Sequence, residues 1–174
     1  MKTKTIQSQT VVKGRVFDVR QDQVRLPNGQ VIQLEIVDHP GAVVLVPVDD
    51  SGNIWLIEQY RHAVGVDLLE LPAGVAEAGE SIEDGAHREL REETGMSAST
   101  IRRIGEFYLA PGYSTEYLVI FLATGLRPDP LTGDEDEFIQ VKPTPIAEVF
   151  ALVESGQIRD AKTLAALLLA RPYL

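Results

Sequence analysis

Apolar residues fall along the chain in patterns that predict both strands and helices. Residues 42–48 form a nearly continuous apolar run, which is typical of a strand buried on both faces. A turn at 50–53 separates this run from a second apolar stretch at 54–60, so we expect the two strands to pair as a hairpin. Further short strands are predicted at 68–71, 107–110, 117–123 and 138–141.

Helix signals occur in three places. In segment 81–94, Ser81 is a candidate N-cap, Asp84 lies at capping-box spacing from it, and Gly95 suits the left-handed residue that ends a helix. Two more helices are predicted, at 145–155 and from Asp160 onward. The order of strands, one helix, more strands and two helices predicts a layered α/β or α+β domain.

The N-terminal residues predict a separate small sheet. Residues 24–26 and 31–37 are rich in β-forming side chains and flank an Asn-Gly pair, which is the usual two-residue hairpin turn. A His-Pro-Gly sequence then marks the joint to the rest of the chain. We therefore assign residues 1–39 to an N-terminal antiparallel β sub-domain and residues 40–174 to the main domain.

The composition excludes several classes of protein. The 174-residue chain has no cysteine, which excludes a disulfide scaffold, a Cys-liganded zinc site and an iron–sulfur cluster. A formal net charge of −10 argues against nucleic-acid binding, which depends on Lys and Arg. No apolar run approaches the ~20 residues of a membrane span, and no apolar stretch follows the basic start. We therefore expect a cytoplasmic protein with no membrane partner and no signal peptide.

A cluster of carboxylates on the helix predicted at 81–94 carries the chemistry. Glu89 and Glu93 are four residues apart and share a face, with Glu92 beside them. Like charges at this spacing destabilise a helix unless they are neutralised, and Arg88 can pair with Glu92 but cannot satisfy all three. A hard divalent cation, Mg²⁺ or Mn²⁺, can do so. The alternative is a solvated charged face, but Glu80 entering from a glycine-rich loop favours the metal.

The same residues match a known signature. Gly74, five residues, Glu80, seven residues and then Arg88-Glu89-Leu90-Arg91-Glu92-Glu93-Thr94-Gly95-Met96 resemble the Nudix box at every defined position. This resemblance to the Nudix hydrolases implies an α/β/α sandwich with a mixed sheet. It also implies hydrolysis of a nucleoside diphosphate linked to another group, with Mg²⁺ or Mn²⁺ as the cofactor.

Segments outside the box resemble one branch of this family, the ADP-ribose pyrophosphatases and nucleoside diphosphate sugar hydrolases. The matching segments are 58–61, 70–74 and 110–116, the last with alanine where the pattern of the branch has serine. In this branch the N-terminal strands form a small sub-domain that is swapped across a homodimer. The resemblance therefore implies a homodimer here.

The resemblance also implies roles for the residues of the box. The expected metal ligands are three carboxylates and one backbone carbonyl: Glu89, Glu92, Glu93 and Ala73. Glu80 is expected either to bind a metal or to orient the helix. Arg88 is expected to hold the carboxylates in place, and with Glu93 it is counted among the catalytic residues.

The general base in this branch is often a glutamate on a loop after the box. The acidic segment 133–138 is the corresponding loop, and its position just ahead of a strand makes Glu137 the first choice and Glu135 the second. The alternative is that this loop is only a solvated acidic turn.

Four residues outside the box are expected to bind substrate. Arg61 suits the pyrophosphate or the terminal ribose-phosphate through a charge-assisted fork, unless it is only a surface arginine at a strand end. Glu70 is expected to contact either a ribose hydroxyl or the dimer partner. Glu116 is expected to do likewise, and Gly112 lies in the same segment.

These inferences give one leading hypothesis and two alternatives. The leading hypothesis is Mg²⁺-dependent hydrolysis of ADP-ribose to AMP and ribose 5-phosphate, in which the cation polarises the phosphoryl oxygens and lowers the pKa of a water. The nearest alternative is another nucleoside diphosphate sugar, such as GDP-mannose. The alternative from a different class is a non-catalytic Nudix sensor, which the retained box glutamates argue against.

Overall fold

The structure is a computed structural model that describes residues 2–77, 79–133 and 137–174. Its contacts divide the chain into two compact units. The first unit is the chain up to Gly41 together with Tyr108–Tyr117. The second unit is Ala42–Phe107 with Leu118–Leu174, and it holds the box helix.

The first unit is built on an antiparallel three-stranded sheet in the order β1-β2-β3. Its strands are β1 Lys4–Lys13, β2 Asp18–Arg25 and β3 Val31–Asp38. The predicted hairpin is present, but its loop is one residue longer than the two-residue turn we expected. The Leu26 N–H donates to the Gln30 carbonyl at 2.8 Å, and Gly29 takes the left-handed conformation at φ 87°.

The second unit contains a mixed sheet. Its strands are β4 Ala42–Val48, β5 Asn53–Arg61, β6 Val66–Glu70, β7 Ala73–Gly74, β8 Met96–Tyr108, β9 Tyr117–Pro128 and β10 Ile139–Pro145. The main path runs β10-β5-β4-β9-β8, while β6 pairs with β5 and β7 pairs with β4. β4 and β9 are parallel, and the pairings of β4 with β5 and of β5 with β10 are antiparallel.

Helices cover this sheet. They are α1 Ile82–Thr94, α2 Ile146–Glu154 and α3 Ala161–Ala170, followed by a short 3-10 helix at Arg171–Tyr173. α1 and α3 both pack against β4, and α2 packs against β5 and β10. The side chains of residues 43–46 alternate between the two faces of β4 and are fully buried, so this part of the strand is covered on both sides. Within the described ranges, every helix is too short or too polar to cross a membrane.

The predicted fold class is confirmed: a mixed α/β domain with a mixed sheet and a small N-terminal antiparallel sheet. All three helices begin close to their predicted positions, and α1 and α2 also end close to theirs. The prediction missed most of β8, which begins at Met96 rather than near 107. This edge strand is largely polar and only partly buried, so it has no apolar run to reveal it.

Candidate active site

Helix α1 fixes the direction in which the box carboxylates point. The hydroxyl of Ser81 accepts the Asp84 N–H at 3.0 Å, and Gly95 ends the helix at φ 73°. Leu90 is fully buried on the face that packs against the sheet. Glu89 and Glu93 flank it and are themselves only 8% and 6% exposed. The helix therefore carries two carboxylates into the protein rather than into solvent.

Arg88 connects the carboxylates around it. Its NH1 donates to Glu89 at 2.8 Å and to Glu92 at 2.7 Å. Its Nε and NH2 both donate to Glu80, and NH2 also reaches the Val75 carbonyl at 3.0 Å. One guanidinium thus ties α1 to the preceding loop. The bonds to Arg88 lower the pKa of Glu80, and the same bonds raise the pKa of Arg88 itself.

Glu93 is outside the reach of these Arg88 bonds. Its carboxylate accepts the Ala73 N–H at 2.8 Å. Burial raises the pKa of Glu93 to about 8, and the charges of Glu89 and Glu137 act in the same direction. Burial also raises the pKa of Glu89 to about 7, against the opposing effect of Arg88. The bonds and positive charges around Glu89 and Glu93 therefore do not fully compensate for the burial of these two carboxylates.

Gly74 permits the close approach between the loop and the helix. A Cβ built on this residue would lie 2.1 Å from the carboxyl carbon of Glu89, so any larger side chain would displace that group. The two residues Ala73 and Gly74 form β7 and pair with β4. The central strand of the sheet thus sets the position of the backbone that faces both buried carboxylates.

The donor set suits a hard cation. Among the described residues, no three Asp, Glu, His or Cys side chains are already gathered around one point at metal-binding distances. Arg88 bonds only one oxygen each of Glu89 and Glu92, so each keeps a second oxygen. Carboxylate oxygens in a buried, negatively charged cluster are the ligands that Mg²⁺ and Mn²⁺ prefer. The residues present therefore fit a divalent cation.

The structure describes one of the two candidates for the general base. Glu137 is exposed, and its charge raises the pKa of both Glu89 and Glu93, so it lies close to the buried carboxylates. Glu135 lies outside the described residues. Glu137 lies just ahead of β10, as its position in the sequence indicated.

Arg61 and Glu70 form a second charged cluster. Glu70 is 1% exposed, and its two oxygens accept from Arg61 Nε at 2.8 Å and Arg61 NH2 at 2.6 Å. Lys162 donates to the same carboxylate and to Asp160. This placement favours an internal role for Glu70 over the expected contact with a ribose hydroxyl or a partner chain. The bond to Glu70 raises the pKa of Arg61, and so does the nearby charge of Glu93.

Lys162 was not among the residues predicted from the sequence. One signal was available: Lys162 is the one charged side chain in α3, whose other residues are small or apolar apart from Thr163. A charge at the start of such a helix needs a partner when the helix packs on a sheet. The partner, Glu70, is 92 residues away along the chain, which the sequence alone does not reveal.

Gly112 and Glu116 belong to the first unit. The segment that contains them is folded by local bonds: the Leu109 N–H donates to the Glu116 carbonyl at 3.1 Å, and the Glu116 N–H donates to Ser114 Oγ at 3.1 Å. Ser114 also forms a bridge with Val37 at the end of β3. The segment is thereby attached to the N-terminal sheet.

The raised pKa values predict how the stability of the metal-free protein depends on pH. The folded state keeps protons on Glu89 and Glu93 that the unfolded chain releases near pH 4.5. Between about pH 5 and pH 8 the folded state binds more protons, so the free energy of unfolding should fall as pH rises, by up to about 1.4 kcal/mol per pH unit for each carboxyl. Urea unfolding in the presence of a chelator measures this slope.

Two variants test whether Glu93, rather than any carboxylate of the helix, contributes to this slope. Glu93→Gln should flatten the slope, because the amide does not titrate, while Glu83→Gln removes an exposed carboxylate from the same helix and should leave the slope unchanged. A free energy of unfolding that is constant or rises over this pH range would contradict the assignment.

Comparison with known proteins identifies the family. A family model described as the NUDIX domain matches residues 38–167, and one described as the nucleoside diphosphate sugar hydrolase N-terminal domain matches residues 3–33. The chain is 40% identical over 165 residues to a Bacillus subtilis protein named ADP-ribose pyrophosphatase, covering 94% of this chain and 89% of the relative. It is 43% identical over 167 residues to a Mycobacterium tuberculosis protein of the same name, covering 94% and 81%.

A solved structure gives the same result. One described as an ADP compounds hydrolase superposes with a TM-score of 0.88 at 29% identity, covering 100% of this chain and 95% of that one. With the NUDIX model matching most of the chain and both relatives aligning over nearly all of it, this chain belongs to the NUDIX domain family.

Proposed function

We propose that this chain is a pyrophosphohydrolase that uses Mg²⁺ to cleave ADP-ribose into AMP and ribose 5-phosphate. One observation carries the proposal: Glu89 and Glu93 are buried side by side with too little positive charge to balance them. Nudix hydrolases generally use divalent metal ions, and a cation would supply that charge. The names of the two relatives support ADP-ribose as the substrate.

Some residues of the box would bind the cation, and others would orient those ligands. Glu89, Glu92, Glu93 and the Ala73 carbonyl would be its ligands. Glu80 and Arg88 would orient these ligands, because Arg88 bonds Glu80, Glu89 and Glu92 together. When bound, such a cation polarises phosphoryl oxygens and lowers the pKa of a water that it binds.

Glu137 is our first choice for the group that accepts the proton of the attacking water, and Glu135 is the second. The proximity of Glu137 to the buried carboxylates supports this order. A base must come within hydrogen-bond reach of the proton it removes, and a loop residue can achieve this when substrate is bound.

Arg61 would bind the anionic part of the substrate. The formal net charge of −10 repels an anion at long range, so a local positive charge is needed near the carboxylates. Arg61 interacts electrostatically with Glu93 and has a side chain that is 38% exposed. Gly112 and Glu116 remain our candidates for further substrate contacts. A cytoplasmic homodimer, with the N-terminal sub-domain swapped between protomers, is part of the same proposal.

Two other functions would use the same fold. Another nucleoside diphosphate sugar, such as GDP-mannose, would need the same chemistry with different contacts to the sugar and base. A non-catalytic Nudix sensor would bind ADP-ribose without cleaving it. The complete set of box glutamates favours catalysis.

A substrate panel tests the proposal. ADP-ribose, GDP-mannose, ADP-glucose, NADH and a nucleoside triphosphate are compared by kcat/KM with Mg²⁺, and ADP-ribose should lead. Glu93→Gln should lower kcat by at least ~10²-fold, because it removes a buried ligand oxygen and its charge. The matched control is Glu83→Gln, an exposed glutamate on the same helix, which should retain activity.

Each result of the panel has a distinct meaning. If another sugar nucleotide leads, the proposed substrate is wrong and the chemistry stands. If ADP-ribose binds but nothing is hydrolysed, the sensor function replaces the proposed one.

The base assignment has its own test. Glu137→Gln should lower kcat by roughly 10²–10⁴-fold with little change in KM, because the amide cannot accept a proton. Glu135→Gln is measured beside it, and Glu154→Gln, an exposed glutamate at the end of α2, serves as the control. If neither loop variant lowers kcat by that amount, the base lies elsewhere.

A further inference from the structure

The cluster around Glu70 is unusual for a carboxylate in a strand. Glu70 ends β6 and is 1% exposed, and a charge buried this deeply is costly unless it is paired. It is paired twice, by the guanidinium of Arg61 and by the ammonium of Lys162. Lys162 is also 2.9 Å from Asp160. Two cations and two anions therefore form a set whose formal charges cancel.

The bonds to Glu70 determine how Arg61 is oriented. Both Nε and NH2 are directed at Glu70, at 2.8 Å and 2.6 Å, so one edge of the guanidinium faces the interior. The NH1 nitrogen lies on the opposite edge, outside this fork. The side chain is 38% exposed, so it is not enclosed by the cluster. A rigid fork fixes the plane of the group and hence the direction of its outward donors.

Lys162 is held just as firmly. Asp160 caps α3 by accepting the Thr163 N–H at 2.9 Å, and it also accepts the Thr163 hydroxyl at 2.6 Å. That hydroxyl accepts the Leu71 N–H at 2.9 Å, directly after Glu70. The start of α3 is therefore bonded to the chain leaving β6. The backbone at Lys162 is therefore held next to the chain that carries Glu70.

We propose that Glu70 and Lys162 are positioning residues that hold Arg61 so that its outward edge receives a phosphate group of the substrate. This inference rests on the proposed function, because it assigns the binding of an anionic substrate to Arg61. It replaces the expected direct contact between Glu70 and substrate with an indirect role. Glu70 acts through Arg61, and Lys162 acts through Glu70.

A double-mutant cycle on KM tests the proposal. Arg61→Met should raise KM for ADP-ribose on the order of 10- to 100-fold with little change in kcat, because a charge-assisted bond to the phosphate is lost. Glu70→Gln should raise KM in the same direction, because an amide cannot accept both donors of the fork. In the double variant, KM should equal that of Arg61→Met alone, because Glu70 has no role once Arg61 is absent.

Variants of Lys162 give a second test that does not remove the buried carboxylate. Lys162→Met should raise KM by a smaller factor than Glu70→Gln does. Lys162→Arg should keep KM near the wild-type value, because it keeps the cation. Two controls remove charges that lie outside the cluster. They are Asp67→Asn on β6 and Lys142→Met on β10, and both should leave KM unchanged. Thermal unfolding of every variant checks that it is folded.

The inference is wrong if the substitutions at Glu70 and Arg61 change KM independently of each other. If the changes in KM for Glu70→Gln and Arg61→Met multiply in the double variant, Glu70 does not act through Arg61. An unchanged KM in folded Arg61→Met, or a kcat that falls while KM stays constant in Glu70→Gln, overturns it as well.

Failure of the proposed function would give different results from failure of the inference about Glu70 and Arg61. If another sugar nucleotide is the substrate, the same cycle on that compound decides the positioning role. If nothing is hydrolysed, the cycle is measured on the dissociation constant of ADP-ribose by calorimetry, and a wild-type chain that does not bind ADP-ribose overturns both proposals.

Discussion

Burial of the two carboxylates of α1 is the constraint to which the surrounding structure conforms. Glu89 and Glu93 lie on either side of Leu90, so the packing that buries this leucine also draws both charges out of water. Desolvation of a carboxylate costs free energy unless bonds or charges compensate it. The neighbours respond in different ways: Arg88 donates to Glu89, the Ala73 N–H donates to Glu93, and Gly74 leaves room for the Glu89 carboxyl. The compensation remains partial, which is why both pKa values are raised.

The two charged clusters of the second unit differ in this respect. Around Glu70, two cations face two anions, and the cluster is internally balanced. Around Arg88, one guanidinium faces Glu80, Glu89 and Glu92, with Glu93 beside them, so negative charge is in excess. A balanced cluster holds parts of a fold together, whereas an unbalanced buried cluster attracts a ligand of opposite charge. The imbalance is thus the physical reason to place the cation at α1, and the balance is the reason to give Glu70 a supporting role.

The sequence predicted what depends on local signals. The limits of α1 followed from Ser81 and Gly95, and the central strand followed from the apolar run at 42–48. The box carboxylates were placed on one helix face by their spacing alone. Most of β8 was not predicted, because an exposed edge strand needs few apolar residues. The burial of Glu70 was not predicted, because the compensating Lys162 lies in a different element, far along the chain. Glutamate is normally exposed, and only its tertiary neighbours make it an interior residue here.

The proposed chemistry requires that the carboxylates of α1 form a divalent cation site. A calorimetric titration of the metal-free protein with Mn²⁺ near pH 7.5, in two buffers of different ionisation enthalpy, tests it without any substrate. We expect binding to the wild-type chain with release of protons, and binding to Glu93→Gln that is weaker by at least ~10-fold. Glu83→Gln should bind as the wild type does. A wild-type chain that does not bind Mn²⁺, or a Glu93→Gln variant with unchanged affinity, would show that these carboxylates do not form the cation site.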